Sequence, residues 1–147
     1  MEIEEYKKQK FGELKRHFAS EEQALEKKGY HLSFDVFSEP FFDEKGQEMG
    51  RNIFLEVTIV PPFSEDKKLT YYHILCENLG QESEVFHEME SFIFQSQVDM
   101  QKIIMGGAKA FKKIFNYRHS PFRLSVWQAV LILSLIGLIG FLLIYIR

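Results

Sequence analysis

Cysteine is almost missing from this chain: Cys76 is the single thiol in 147 residues. One thiol excludes an intramolecular disulfide and any all-cysteine zinc site, and it fits a reducing compartment. Proline is scarce as well, and no Pro-, Gly- or Ser-rich tract, low-complexity segment or internal repeat divides the chain. The five histidines, His17, His31, His73, His87 and His119, include no pair three or four residues apart and no His-Glu-x-x-His. A glycine-rich phosphate loop, a nucleophile elbow and a kinase-type set are missing too. These absences argue against an enzyme and against a bound cofactor or metal.

Acid is missing from one end only. All 21 acidic residues fall within residues 1–99 against 11 bases, a net of −10, whereas residues 100–147 hold seven bases and no acid. An acidic head of this size is repelled by nucleic acid, so no nucleic-acid partner is expected. The basic remainder suits an anionic inner leaflet, where each base near the surface contributes about 1 kcal/mol.

What the chain has in quantity is a long apolar run. From Val126 to Ile146 no residue is charged, and Gln128 is the one strongly polar side chain. As a helix these residues span ~31 Å, the thickness of a hydrocarbon core, and predict a transmembrane segment. A buried core helix of this kind would need a large fold around it, which a small domain does not supply. Lys102, Lys109, Lys112, Lys113, Arg118 and Arg123 precede the run, so the positive-inside rule places the N-terminal side in the cytoplasm. Glu2, Glu4 and Glu5 stand where a signal peptide would carry bases, and no cleaved signal is expected. The expectation is therefore a tail-anchored, single-pass membrane protein, with the Lys, Glu, Ile and Phe bias pointing to a bacterial inner membrane rather than the endoplasmic reticulum. Phe122 and Trp127 mark the near headgroup level and Tyr145 the far one. Ser134, Gly137 and Gly140 form a small-residue groove suited to helix packing.

Upstream, the periodicity predicts an α+β domain over 1–97 of order α-β-β-β-α, a three-stranded antiparallel sheet covered by helices. Ile3, Tyr6, Phe11, Leu14, Phe18 and Leu25 predict helix over residues 2–28, with a break near Ser20 and a C-cap at Gly29. Strands follow at 30–38, ended by Pro40, then around Ile53–Ile59 and over Leu69–Cys76. Ser83 is the expected N-cap of a second helical stretch whose stripe runs from Val85 through Met89, Phe92, Ser96, Met100, Ile103, Gly107, Phe111 and Ile114. Gly106-Gly107 make a hinge. Beyond it the helix is basic and amphipathic, and residues 98–124 are predicted to lie in the membrane interface with Phe111 and Phe115 inserted and Lys109, Lys112, Lys113, Arg118 and Arg123 at the headgroups. Residues 125–147 form the anchor.

In element order alone the head resembles double-stranded RNA-binding domains. Those domains start their second helix with a basic cluster, whereas this chain has Ser83-Glu84, Glu88 and Glu90 there, so their function is not implied. The function expected is a membrane-held interaction module, an adaptor, regulator or accessory subunit, with a protein partner or a second copy bound through the domain or the membrane helix. A holin-like or toxin-like membrane-active protein, and a tethered enzyme built around His73, Cys76 or His87, are the alternatives.

Overall fold

Lysine and glutamate surround the first apolar stripe, and the computed structural model, which describes residues 2–120 and 125–146, makes two helices of it. They are α1 (Ile3–His17) and α2 (Ala19–Glu26). The break falls at Phe18 rather than at Ser20, with φ −101° and ψ 10°. Turning the chain there brings Leu14, Phe18 and Leu25 into one core. At the end of α2 Gly29 adopts φ 83°, its N–H donates to the Glu26 carbonyl (2.9 Å) and Tyr30 N–H donates to the Leu25 carbonyl (3.0 Å). That bond pair is a Schellman motif, and it delivers Tyr30 buried at the mouth of the first strand.

The sheet is antiparallel and has four strands, not the expected three: β1 (His31–Phe42), β2 (Glu48–Val60), β3 (Leu69–Leu79) and β4 (Val85–Phe86), in that spatial order. Pro40 does not end β1. It pairs with Arg51, which proline permits because β1 is an edge strand and the missing N–H is not needed by a further neighbour. β4 replaces the predicted start of the second helix. Val85 and Phe86 pair with Glu77 and Cys76, and the turn before them is held by Gly80 N–H donating to Glu84 Oε1 (2.9 Å). Ser83 is therefore in a turn and caps nothing; α3 starts at Glu90 and runs to His119.

One face of the sheet, carrying Leu32, Val36, Ile53, Leu55, Val57, Ile59, Leu69 and Tyr71, joins α1, α2 and α3 in a single core. Each of the fully buried aliphatic side chains contributes about 1.5–3 kcal/mol by leaving water. Tyr71 ties sheet to helix, its phenol donating to Asp99 Oδ2 of α3 (2.9 Å). From α3 the core receives Phe92, Ile93, Ser96, Met100 and Ile103, and beyond the hinge Phe111. The hinge is real: Gly107 sits at φ 62°, ψ −145°, outside the helical region and open to glycine alone without strain.

The chain divides into two compact units, Met1–Phe115 and Asn116–Arg147. The first therefore reaches past residue 97, where the domain was expected to end. The second contains α4 (Val126–Tyr145), described here by itself. The predicted juxtamembrane segment 98–124 begins inside α3 and includes residues 121–124, which lie outside the described residues.

Candidate membrane anchor and interaction surfaces

α4 is long and apolar enough to cross a membrane. Its 20 residues rise ~30 Å, and none of them is buried. The polar side chains of the segment are consumed by the helix itself. Ser125 and Gln128 form a reciprocal capping box: Gln128 N–H donates to Ser125 Oγ (3.2 Å) and Ser125 N–H donates to Gln128 Oε1 (3.0 Å). This cap was missed in the sequence, although Ser-x-x-Gln before an apolar run is its signature. The Ser134 hydroxyl donates to the Val130 carbonyl (2.8 Å), which satisfies it within its own helix as an apolar solvent requires. Ser134, Gly137 and Gly140 are exposed, and a Cβ on either glycine would meet nothing within 4 Å, so the small-residue surface is open. Trp127 is exposed at the N-terminal end of α4, and Phe141 stacks on Tyr145 at the other (6.1 Å between rings).

The predicted lipid-facing set of α3 splits in two. Lys109 and Lys113 are exposed, Lys112 is exposed with its ammonium 5.3 Å from the Phe63 ring centre, and Arg118 is half-buried. Phe111 is instead a core residue, 0% exposed, among Tyr30 (5.9 Å), Phe63 (5.6 Å) and Phe115 (6.3 Å). Phe115 is half-buried against that same core. These aromatics face protein because residues after the hinge fold back over Tyr30, at the helix-to-strand corner, so the amphipathic pattern there encodes packing rather than lipid insertion. Phe122 and Arg123 lie outside the described residues.

The second face of the sheet is half-exposed. Phe37 and Phe54, paired across β1 and β2, stack at 5.5 Å, and Tyr72 stands beside Glu56 on β3, 63% exposed. Asp35 lies directly opposite Glu56. Like charges in that relation destabilise a strand pair. Glu56 is held by Thr58, whose hydroxyl donates to it (3.1 Å) and lies 3.3 Å from the Thr70 hydroxyl. Sequence reasoning assigned these residues to strands but did not single them out, because a strand's outer face shows its neighbours only once the register is known.

Of the residues named for a tethered enzyme, His73 and Cys76 share β3, and His87 follows Phe86, which pairs with Cys76. Cys76 is fully buried, and burial, then Glu84 and Glu77, push its thiol up, which leaves it protonated and a poor nucleophile. His73 stacks on Phe92 (5.2 Å); burial holds its pKa below the ordinary value against an opposing hydrogen bond to the Glu88 backbone, and its Nε2 has no partner among the described residues. His87 pairs with Glu77 at 3.1 Å on the surface. Among the described residues no three of His, Cys, Asp or Glu are placed to hold a metal ion. A shallow groove between α1 and β1 is lined by Glu4, Lys7, Lys8, Phe11, Asp35 and Val36.

No protein-family model, no curated protein and no solved structure matches this chain.

Proposed function

We propose that this protein is a membrane-tethered interaction module: α4 spans the bilayer, the α+β unit stands on the cytoplasmic side, and the unit works by binding another protein rather than by catalysis. The observation that carries this reading is α4, a helix that is apolar on every side and has no burial anywhere along its length. In water such a surface is untenable, and in a bilayer it needs no cover. The acid-free stretch before it, with exposed Lys109, Lys112 and Lys113, supports the cytoplasmic orientation and contact with anionic headgroups.

The sheet's open face is the surface offered to a partner. Its Phe37 and Phe54 supply an apolar centre, and Asp35 and Glu56 supply charge that costs the strand pair stability when no cation lies over it. Burial of Phe111, with Phe115 half-buried beside it, counts against a membrane-perturbing function, since it withdraws Phe111 from the surface of the basic helix. Affinity purification of the full chain from its host's membranes in mild detergent tests the reading. A stoichiometric partner lost on Asp35→Lys with Glu56→Lys is the expected result; particles of this chain alone, unchanged by those substitutions, would contradict it.

A further inference from the structure

The face of α3 turned away from the core carries a second stripe. Phe94 is 68% exposed, Val98 37% and Met105 85%, and with exposed Ser91 and Gln101 they succeed one another at steps of three, four, three and four residues. That is the a/d spacing of a coiled-coil seam, carried through two heptads over ~21 Å of helix. The residues half a turn of phase away, Phe92, Ser96, Met100 and Ile103, are buried in the unit, so α3 carries large apolar side chains on two opposite faces and only one of them is covered.

We propose that two copies of this chain associate through this outer face of α3, Phe94, Val98 and Met105 of one packing on the same residues of the other. Charge selects a second copy. The unit as a whole is acidic, yet between Ser91 and Met105 the only charges are Asp99 and Lys102, which lie 3.8 Å apart and cancel. Gln101 within the stripe and Gln95 and Gln97 beside it carry amides that meet their own kind without repulsion, whereas a basic or acidic partner helix finds no complementary charge there. A seam that repeats on both sides of a two-fold axis closes on itself as a dimer. Its short length falls below what holds a stable soluble interface, and here the inference rests on the tether proposed above: copies sharing one bilayer in one orientation meet at a high effective concentration.

Cysteine scanning of the full chain in native membranes tests this, because Cys76 is buried and leaves each introduced thiol as the reporter. Phe94→Cys, Val98→Cys and Met105→Cys are each made and oxidised, with Lys8→Cys on α1 and Gln47→Cys in the β1–β2 turn as exposed controls. Disulfide-linked dimer is expected at about tenfold the control yield at the stripe positions, and Phe94→Glu with Met105→Glu is expected to bring Val98→Cys down to the control level. Equal yields at all positions, no dimer, or a cross-link to a heavier foreign protein overturns the proposal. Partition after alkaline extraction is read on the same samples: protein released to the supernatant contradicts the tether, while the ratio of stripe to control yields still decides the seam.

Discussion

Arginine at both Leu135 and Ile139 releases the protein from the membrane fraction into the alkaline supernatant or into aggregates. Both positions lie near the middle of α4 and both are exposed. An arginine at a helix centre opposes insertion by about 2.5–3.5 kcal/mol, and two of them on a single helix of 20 residues outweigh what the flanking aromatics can anchor. The α+β unit has a core of its own and is expected to stay folded. Alkaline extraction followed by quantitative blotting reads the effect directly, with Gln47→Arg as a surface-charge control that stays in the pellet. Full retention of the double variant would mean that something other than α4 holds the protein at the membrane.

Phe111→Ala destabilises the unit by about 3–5 kcal/mol, the usual cost of emptying a fully buried aromatic site. Tyr30, Phe63 and Phe115 surround that ring and lose its contact when it is removed. Phe94→Ala, at an exposed position before the hinge in α3, leaves stability within a few tenths of a kcal/mol. Urea unfolding of the full chain in micelles, followed by circular dichroism, separates the two. The comparison also decides how the basic helix is used: a lipid-inserted Phe111 would give the reverse pattern, little loss of stability and weaker partition.

These two residues show where the sequence was readable. α4 stands out because its signal is a run rather than a pattern, and the run is long and apolar enough to cross a membrane. β2 was equally plain, since Ile53, Leu55, Val57 and Ile59 recur at every second position and all are buried. Phe111 was misplaced because a helix that packs on a domain and one that lies on a membrane share the same 3.6-residue amphipathic period. Only the position of Tyr30 and Phe63, distant in sequence, separates them. Val85 and Phe86 were read into a helix because two residues are too few for a period to show, and what makes them a strand is a hydrogen-bonding neighbour, Cys76 and Glu77. The outer stripe of α3 was present as Phe94, Val98 and Met105, but the stronger stripe of Phe92, Met100 and Ile103 overlaid it. A second apolar face becomes informative once the first is known to be covered.

The open sheet face was illegible for a related reason. Asp35 and Glu56 stand 21 positions apart in the chain, and their opposition exists only in the β1–β2 register. Pro40 misled in the same way. Its effect on a strand depends on whether that strand is at an edge, which is a property of the sheet and not of the residue.

The most direct measurement of the central claim, a folded unit held on the cytoplasmic side by α4, is labelling of Gln47→Cys in intact cells with a thiol reagent that does not cross membranes. Gln47 lies exposed in the β1–β2 turn, far in sequence from α4, and buried Cys76 gives no background. The account predicts no labelling of intact cells, full labelling after lysis, and retention of the labelled protein in the alkaline-resistant pellet. Labelling before lysis would place the unit on the outer side and contradict the account.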